Sequence, residues 1–358
     1  MPTPYHKRLS QAKRIYLTEE IEALLLFDLL NIRYLTGFTG SDGALLVLTD
    51  KTFLLVDGRY TTQARQEAKV AEVVEYREKM EGIAETVLSL GIKKLGFEAE
   101  ALSVADYEKL KERLPSVYLR TLAEELRKLR SVKDNEEIEF LRQAATFASK
   151  EFYKLLPFIK PGLRERDIAL ELEYRLRLSG AEGISFPTIV ASGENSSLPH
   201  AKPGDRILRE GDVVVIDFGI SYAGYHSDET CTLFLAEADA RKSLVYGIVK
   251  EAHDRAISAV CAGVACSEID RLARDYIRKK GWAAYFPHGT GHGIGLDVHE
   301  SPRIAPPSRD ILEEGMVITV EPGIYLPGEW GVRIEDMVLV QKEGCEVLTG
   351  INKELTIL

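Results

Sequence analysis

Residues 213–235 place Asp217 and Asp228 inside what reads as a buried hairpin, and few folds tolerate that. Val213-Val-Val-Ile216 is an unbroken β-branched run, as in a strand buried on both faces, and it ends at Asp217. Glu229-Thr-Cys-Thr-Leu-Phe-Leu235 follows as a second strand with rough alternation. Between them Ser221-Tyr-Ala-Gly224 supplies a turn, with Gly224 open to positive φ. A fold about the Tyr222–Ala223 bond makes Asp217 and Asp228 direct cross-strand neighbours, with Cβ atoms about 4.5–5.5 Å apart. Two carboxylates so placed repel each other, and burial worsens the repulsion. No Lys or Arg lies in this stretch, so the pattern points to a bound metal cation.

Three further segments put ionisable residues where strands belong. They are His288-Gly-Thr-Gly-His-Gly-Ile-Gly-Leu-Asp-Val-His299, Val317-Ile-Thr-Val-Glu-Pro-Gly323 and Gly331-Val-Arg-Ile-Glu-Asp-Met-Val-Leu-Val340. The last two frame the turn Leu326-Pro-Gly-Glu329. Glu321 and Glu335 are symmetric about Gly328, so a second hairpin sets two carboxylates opposite each other. Two divalent cations would neutralise Asp217, Asp228, Glu321 and Glu335. Carboxylate oxygens with one imidazole suit Mn²⁺, Co²⁺ or Fe²⁺, with Zn²⁺ as a further option. A metal pair of this kind activates water and clamps a carbonyl oxygen, so the reaction class is metal-assisted hydrolysis.

Competing readings fail on particular residues. The glycine run 289–295 is no dinucleotide loop, because Ile294 and Leu296 stand where G-x-G-x-x-G needs glycine. His299-Glu300 does not open a zinc-protease helix motif, since position 303 is Arg. A net charge of −10 without a basic run disfavours nucleic-acid and anionic-membrane partners. The four cysteines form no CxxC pair, which fits free thiols in a reducing cytoplasm. Met1 to Ser10 lacks the apolar core of a signal peptide, and Ala23 to Leu30 is short and interrupted by Asp28. Cys231, Cys261 and Cys266 read as small buried fillers, and His6 and His253 as solvated positions without a role.

At 358 residues the chain exceeds one ordinary core. Strands alternating with helices make residues 1–125 an α/β domain, and a helical connection near residue 125 leads into a second domain, 126–358. Helices near 135–156 and 165–179 precede strands, and helices near 240–262 and 267–280 precede more strands. That order, repeated, suggests an internal duplication.

Together these motifs resemble the Xaa-Pro peptidases, prolidase and aminopeptidase P, a branch of the pita-bread metallopeptidases. The likeness extends from Asn31-Ile-Arg-Tyr-Leu-Thr-Gly-Phe-Thr-Gly40 and Asp57-Gly-Arg-Tyr60 to Arg333-Ile-Glu-Asp336. It implies an α/β (α+β) chain: a small creatinase-like N-terminal domain, then a pita-bread catalytic domain with internal pseudo-duplication. It implies two metal ions, Mn or Co before Zn or Fe, on Asp217, Asp228, His292, Glu321 and Glu335. His200, His288, His299 and Arg333 correspond to residues around the substrate, and Arg303 to an arginine that meets the substrate's C-terminal carboxylate.

The implied reaction is hydrolysis of the Xaa-Pro imide bond by a metal-bridged hydroxide. Glu321 would be its base, and His299 and His200 would stabilise the oxyanion. Dipeptide cleavage is favoured over aminopeptidase P action on longer peptides, and the implied assembly is a cytoplasmic homodimer. A non-catalytic pita-bread binding protein is the rival from another class; such chains usually lose ligands, and all five positions are filled here. One departure stands out: Cys231 occupies the arginine position of a Ser-Asp-x-Thr-Arg-Thr motif, which would remove a positive charge close to Asp228.

Overall fold

The computed structural model describes residues 4–358; residues 1–3, the head of the stretch read above for a leader, lie outside the described residues. The chain divides into two units, one running to Arg130 and the other spanning Ser131–Leu358.

The first unit is built on α1 (Pro4–Ala12), α2 (Arg14–Glu19), β1 (Ala23–Leu26), α3 (Leu29–Thr36), β2 (Ala44–Val47) and β3 (Thr52–Asp57). There follow α4 (Thr61–Glu67), β4 (Glu72–Tyr76), α5 (Lys79–Ser89), β5 (Lys94–Glu98), α6 (Val104–Arg113), β6 (Tyr118–Leu122) and α7 (Glu124–Arg127). The sheet order is β4-β3-β2-β1-β5-β6, with β2 antiparallel to both neighbours and the remaining pairs parallel. Every residue of β1 and β2 is buried, as apolar strands covered on both faces should be. Helix α6 starts where the Ser103 hydroxyl accepts the Asp106 N–H at 3.1 Å.

The connection is helical near residue 125, as expected, but only over the single turn of α7. Val132 instead bridges Met316 in antiparallel fashion, and Lys133 N–H donates to Gly315 O at 2.9 Å. These strand-like contacts override propensity until Asp134 starts a new helix through a reciprocal capping box with Glu137.

The second unit opens with α8 (Asn135–Leu155) and α9 (Glu165–Leu178). Strands β7 (Gly183–Ile184), β8 (Ile189–Ser192), β9 (Val213–Phe218), β10 (Ile220–Tyr222), β11 (Tyr225–His226) and β12 (Glu229–Phe234) follow. The pattern recurs with α10 (Ala240–Ser258) and α11 (Cys266–Lys279), then β13 (Gly291–Gly293), β14 (Glu300–Ile304), β15 (Val317–Val320) and β16 (Gly323–Leu326). The chain closes with β17 (Trp330–Arg333), β18 (Asp336–Val340), β19 (Cys345–Val347) and β20 (Thr356–Ile357). One sheet runs β20-β12-β9-β8 and another β14-β13-β15-β18-β19; β16 pairs with β17, and β11-β10-β7 form a small third sheet. Among the described residues no helix is long and apolar enough to cross a membrane.

Each half has its own core. Phe152 and Leu155 of α8 and Ile168 and Leu172 of α9 pack on Val214, Ile216 and Phe218 of β9. Val245 and Val249 of α10 and Ile269 of α11 pack with Ile318, Val320, Val338 and Val340. Fully burying an apolar side chain of this size contributes about 1.5–3 kcal/mol. The alternate residue Val213 joins the second core, so β9 is apolar on both faces because it separates the two halves. Asp217 shares the face of Val213.

Candidate active site

The first hairpin turns one residue later than its sequence suggests. Ala223 and Gly224 both adopt positive φ, 51° and 82°, and Tyr222 pairs with Tyr225, so the chain folds about the Ala223–Gly224 bond. Asp217 therefore faces Thr230, not Asp228. By continuation of this register Asp228 falls opposite Gly219, two residues along from Asp217, so the two carboxylates are diagonal neighbours on one face.

The second hairpin keeps its expected register. Gly323 pairs with Arg333 and Val320 with Asp336, both symmetric about Gly328, which puts Glu321 and Glu335 at facing positions. Main-chain bonds fix them in place: Glu321 N–H donates to Thr290 O at 2.7 Å, and Glu335 N–H to Thr230 O at 3.3 Å. The latter joins the two hairpins.

His292 enters on β13, between β14 and β15. A Cβ at Gly291 would lie 2.0 Å from Thr319 O, and one at Gly293 2.3 Å from Ser301 O, so only glycine permits this spacing. His292 Nδ1 donates to Gly293 O at 3.1 Å, which leaves the Nε2 lone pair 3.7 Å from Asp228 Oδ2 and from Glu321 Oε1. Burial, with His299 adding, pulls the imidazole down to about 4, so it is neutral at pH 7.

The acids behave as a crowded, desolvated group. Burial, then Glu335, Asp217 and Glu321, hold the Asp228 carboxyl well above its usual range. Burial and the neighbouring Glu321 and Asp217 do the same to Glu335. Glu321 is pushed up to about 7, chiefly by burial, with Arg333 opposing the shift. Ligand atoms of Asp228, His292 and Glu335 all lie within 4.8 Å of one another. Asp217 Oδ1 is buried without a hydrogen-bond partner. Crowded oxygen donors, one neutral imidazole and an orphaned carboxylate oxygen fit a divalent cation.

A positive group does reach the acids, from far along the chain. Arg333 Nη2 lies 2.5 Å from Asp217 Oδ2, Nη1 donates to Tyr325 Oη (2.8 Å) and Pro199 O (3.1 Å), and Nε donates to Thr230 Oγ1 at 3.2 Å. Thr230 Oγ1 in turn donates to Glu335 Oε2 at 2.7 Å. Arg333 offsets one carboxylate and leaves the other three to a cation.

The remaining sequence candidates fall into two groups. His200, His299 and Arg303 are exposed. The His299 ring lies 4.5 Å from that of His292, and Arg303 pairs in register with His292. His288 is half-buried, with Nδ1 2.7 Å from Gly289 O and Nε2 3.0 Å from Tyr325 Oη, so both ring nitrogens are engaged within the protein.

Residues 139–342 match the model of metallopeptidase family M24, and residues 8–132 that of the creatinase/prolidase N-terminal domain. The chain belongs to metallopeptidase family M24. It is similar over its length to the Xaa-Pro dipeptidase of Pyrococcus furiosus, at 36% identity covering 98% of this chain and 99% of that protein. The solved Xaa-Pro dipeptidase from Bacillus anthracis superposes with a TM-score of 0.96 at 40% identity, covering 99% and 100% of the two chains. The X-Pro aminopeptidase from Thermotoga maritima gives a TM-score of 0.90 at 38% identity, covering 98% and 99%.

This M24 chain is thus a mixed α/β protein with a creatinase-type domain ahead of its peptidase domain, and family membership implies divalent metal at the acidic cluster. Three features of the site escaped the sequence reading. Thr230 was within reach of it, since strand alternation puts residue 230 on the face of residue 228. Tyr325 carries no local signal, because its partners Arg333 and His288 meet it only in the fold. His253 is not solvated: it is 2% exposed, with Nε2 3.1 Å from Asp336 Oδ2. Cys231 is the small buried filler expected, but it does not stand beside Asp228. It packs in the core under α8 and α9, on the face of Glu229 rather than of Asp228, with Sγ 3.9 Å from Lys353 Nζ.

Proposed function

We propose that the chain is a metal-dependent Xaa-Pro dipeptidase, a prolidase. The observation that carries this is the convergence of Asp228, His292 and Glu335 on one point, beside the unpartnered Asp217 Oδ1, in a chain similar over its whole length to Xaa-Pro dipeptidases. Asp217, Asp228, His292, Glu321 and Glu335 hold two divalent ions, Mn²⁺ or Co²⁺ with Zn²⁺ or Fe²⁺ as alternatives. When bound, the ions polarise the scissile carbonyl and lower the pKa of water.

The chain's own groups do the rest. A Glu321 carboxylate oxygen accepts the proton of the attacking water and returns it to the prolyl nitrogen. That nitrogen has no hydrogen of its own in the imide and leaves only once protonated. His299 and His200 donate to the developing oxyanion and border the proline side. Arg333 holds Asp217 in place, and through Tyr325 it orients His288 at the edge of the substrate site. Arg303 pairs with the carboxylate of a C-terminal proline, which favours dipeptides over longer chains.

Residues 1–125 serve substrate access and dimer contacts, and the enzyme works as a cytoplasmic homodimer. The four free cysteines support that compartment. Comparing Ala-Pro with Ala-Pro-Ala in the presence of Mn²⁺ or Co²⁺ tests the substrate class. A dipeptidase gives the higher kcat/KM on Ala-Pro; a preference for the tripeptide makes this an Xaa-Pro aminopeptidase instead.

A further inference from the structure

Behind the acidic cluster lies a second group of charges that the reaction does not use. Glu229 follows Asp228 in the chain and turns toward α8, where Ser149 Oγ donates to its Oε2 at 2.8 Å. Asp336 follows Glu335 and turns toward α10, where it meets His253. Glu229 is 0% exposed and Asp336 5%. Lys353, near the C-terminus, stands between them, with Nζ 2.5 Å from Glu229 Oε1 and 3.2 Å from Asp336 Oδ1. Tyr246 Oη donates to Lys353 O at 2.9 Å and anchors its main chain.

Strands β12 and β18 belong to different sheets, and the acidic cluster is assembled across the junction between those sheets. We propose that Lys353 is a positioning residue for the metal centre: by joining Glu229 to Asp336 it sets the spacing of Asp228 and Glu335. Removing one partner of a buried ionic group leaves uncompensated charge, and two buried carboxylates without their cation repel. Here the repulsion would act directly behind two ligands. Position 231 offers only a buried thiol, so Lys353 supplies the cation between these two carboxylates. The inference rests on the reading of Asp228 and Glu335 as ligands.

The test is Co²⁺ titration of metal-stripped protein, followed by visible d–d absorption, for wild type, Lys353→Met and Lys353→Met/Glu229→Gln. Lys353→Met should weaken Co²⁺ binding roughly 10–100-fold, as loss of a group supporting metal ligands does. The double variant, which removes the repulsion as well as the cation, should return to within about threefold of wild type, a recovery that loss of general support would not produce. Unchanged affinity and absorption in Lys353→Met would overturn the proposal. So would a folded double variant that still binds about tenfold more weakly than wild type, the outcome to read if the single variant does not fold. A wild type that binds no Co²⁺ would instead refute the ligand assignment on which the proposal stands.

Discussion

Arg333 and Asp217 form a buried ion pair in which one carboxylate oxygen is taken, at 2.5 Å, and the other has no partner. The guanidinium fixes the aspartate while leaving Oδ1 available as a ligand. Burial works against its charge, but Tyr325, Asp217 and Glu321 more than compensate and hold Arg333 firmly protonated. Arg333→Lys keeps the charge but cannot reproduce the fork that also reaches Tyr325, Pro199 and Thr230. Losing such charge-assisted bonds costs about 1.5–3 kcal/mol, so kcat on Ala-Pro should fall roughly 10–100-fold with KM little changed. Steady-state kinetics of the variant check this; an unchanged kcat would make the pair dispensable.

The crowded acids give the metal-free protein a pH signature. Asp228, Glu335 and Glu321 are held above their usual values, so the folded state binds more protons than the unfolded one. Their contribution to apo stability is full below about pH 4, the unfolded carboxyl range, and is lost as pH rises through the folded values, near 7 for Glu321. Bound cations remove that loss. The difference in Tm between metal-loaded and metal-stripped protein should therefore widen from pH 5 to pH 8. At a hundredfold excess of metal over Kd the stabilisation is about 2.7 kcal/mol, or roughly 5–10 °C for a domain of this size. Thermal melts at four pH values measure it, and a gap that is constant or narrows with pH would count against a shared metal site.

Where side chains follow strand periodicity, the site was legible before the fold. Glu321 and Glu335 fall where symmetry about Gly328 puts them, because a turn centred on one residue fixes the register of everything beyond it. Asp217 and Asp228 come out diagonal instead of opposite, because a residue other than glycine, Ala223, accepts positive φ and moves the turn. A left-handed alanine costs roughly 1–2 kcal/mol, and nothing local in the sequence announces that packing will outweigh it. Arg333 was placed near the substrate by resemblance, but its bond to Asp217 is a long-range contact with no periodic signal. The pairing of His253 with Asp336, and of Lys353 with Glu229 and Asp336, is equally silent, because these partners are far apart in sequence and meet only in the fold. The helix expected near residue 125 forms as α7, and it stops short of residue 132 because the Val132–Met316 bridge outweighs local propensity there.

On the proposed reading, Arg303 separates the two substrate lengths. It is exposed and in register with His292, so its guanidinium is open to a substrate carboxylate. Arg303→Ala should lower kcat/KM on Ala-Pro roughly 10–100-fold, the value of a charge-assisted pair, and affect Ala-Pro-Ala much less. Equal loss on both substrates would make Arg303 a structural residue of β14.

Metal content and proline release, measured on the same samples, decide the central question. The samples are wild type as purified, wild type stripped by chelator, the stripped protein refilled with Mn²⁺ or Co²⁺, and Asp228→Asn carried through the same steps. Free proline from Ala-Pro should vanish on stripping and return with refilling, in proportion to bound metal up to two ions per chain. Asp228→Asn should bind less metal and release almost no proline. Full activity in the stripped enzyme, or in Asp228→Asn with unchanged metal content, would contradict a metal-dependent Xaa-Pro dipeptidase built on these five residues.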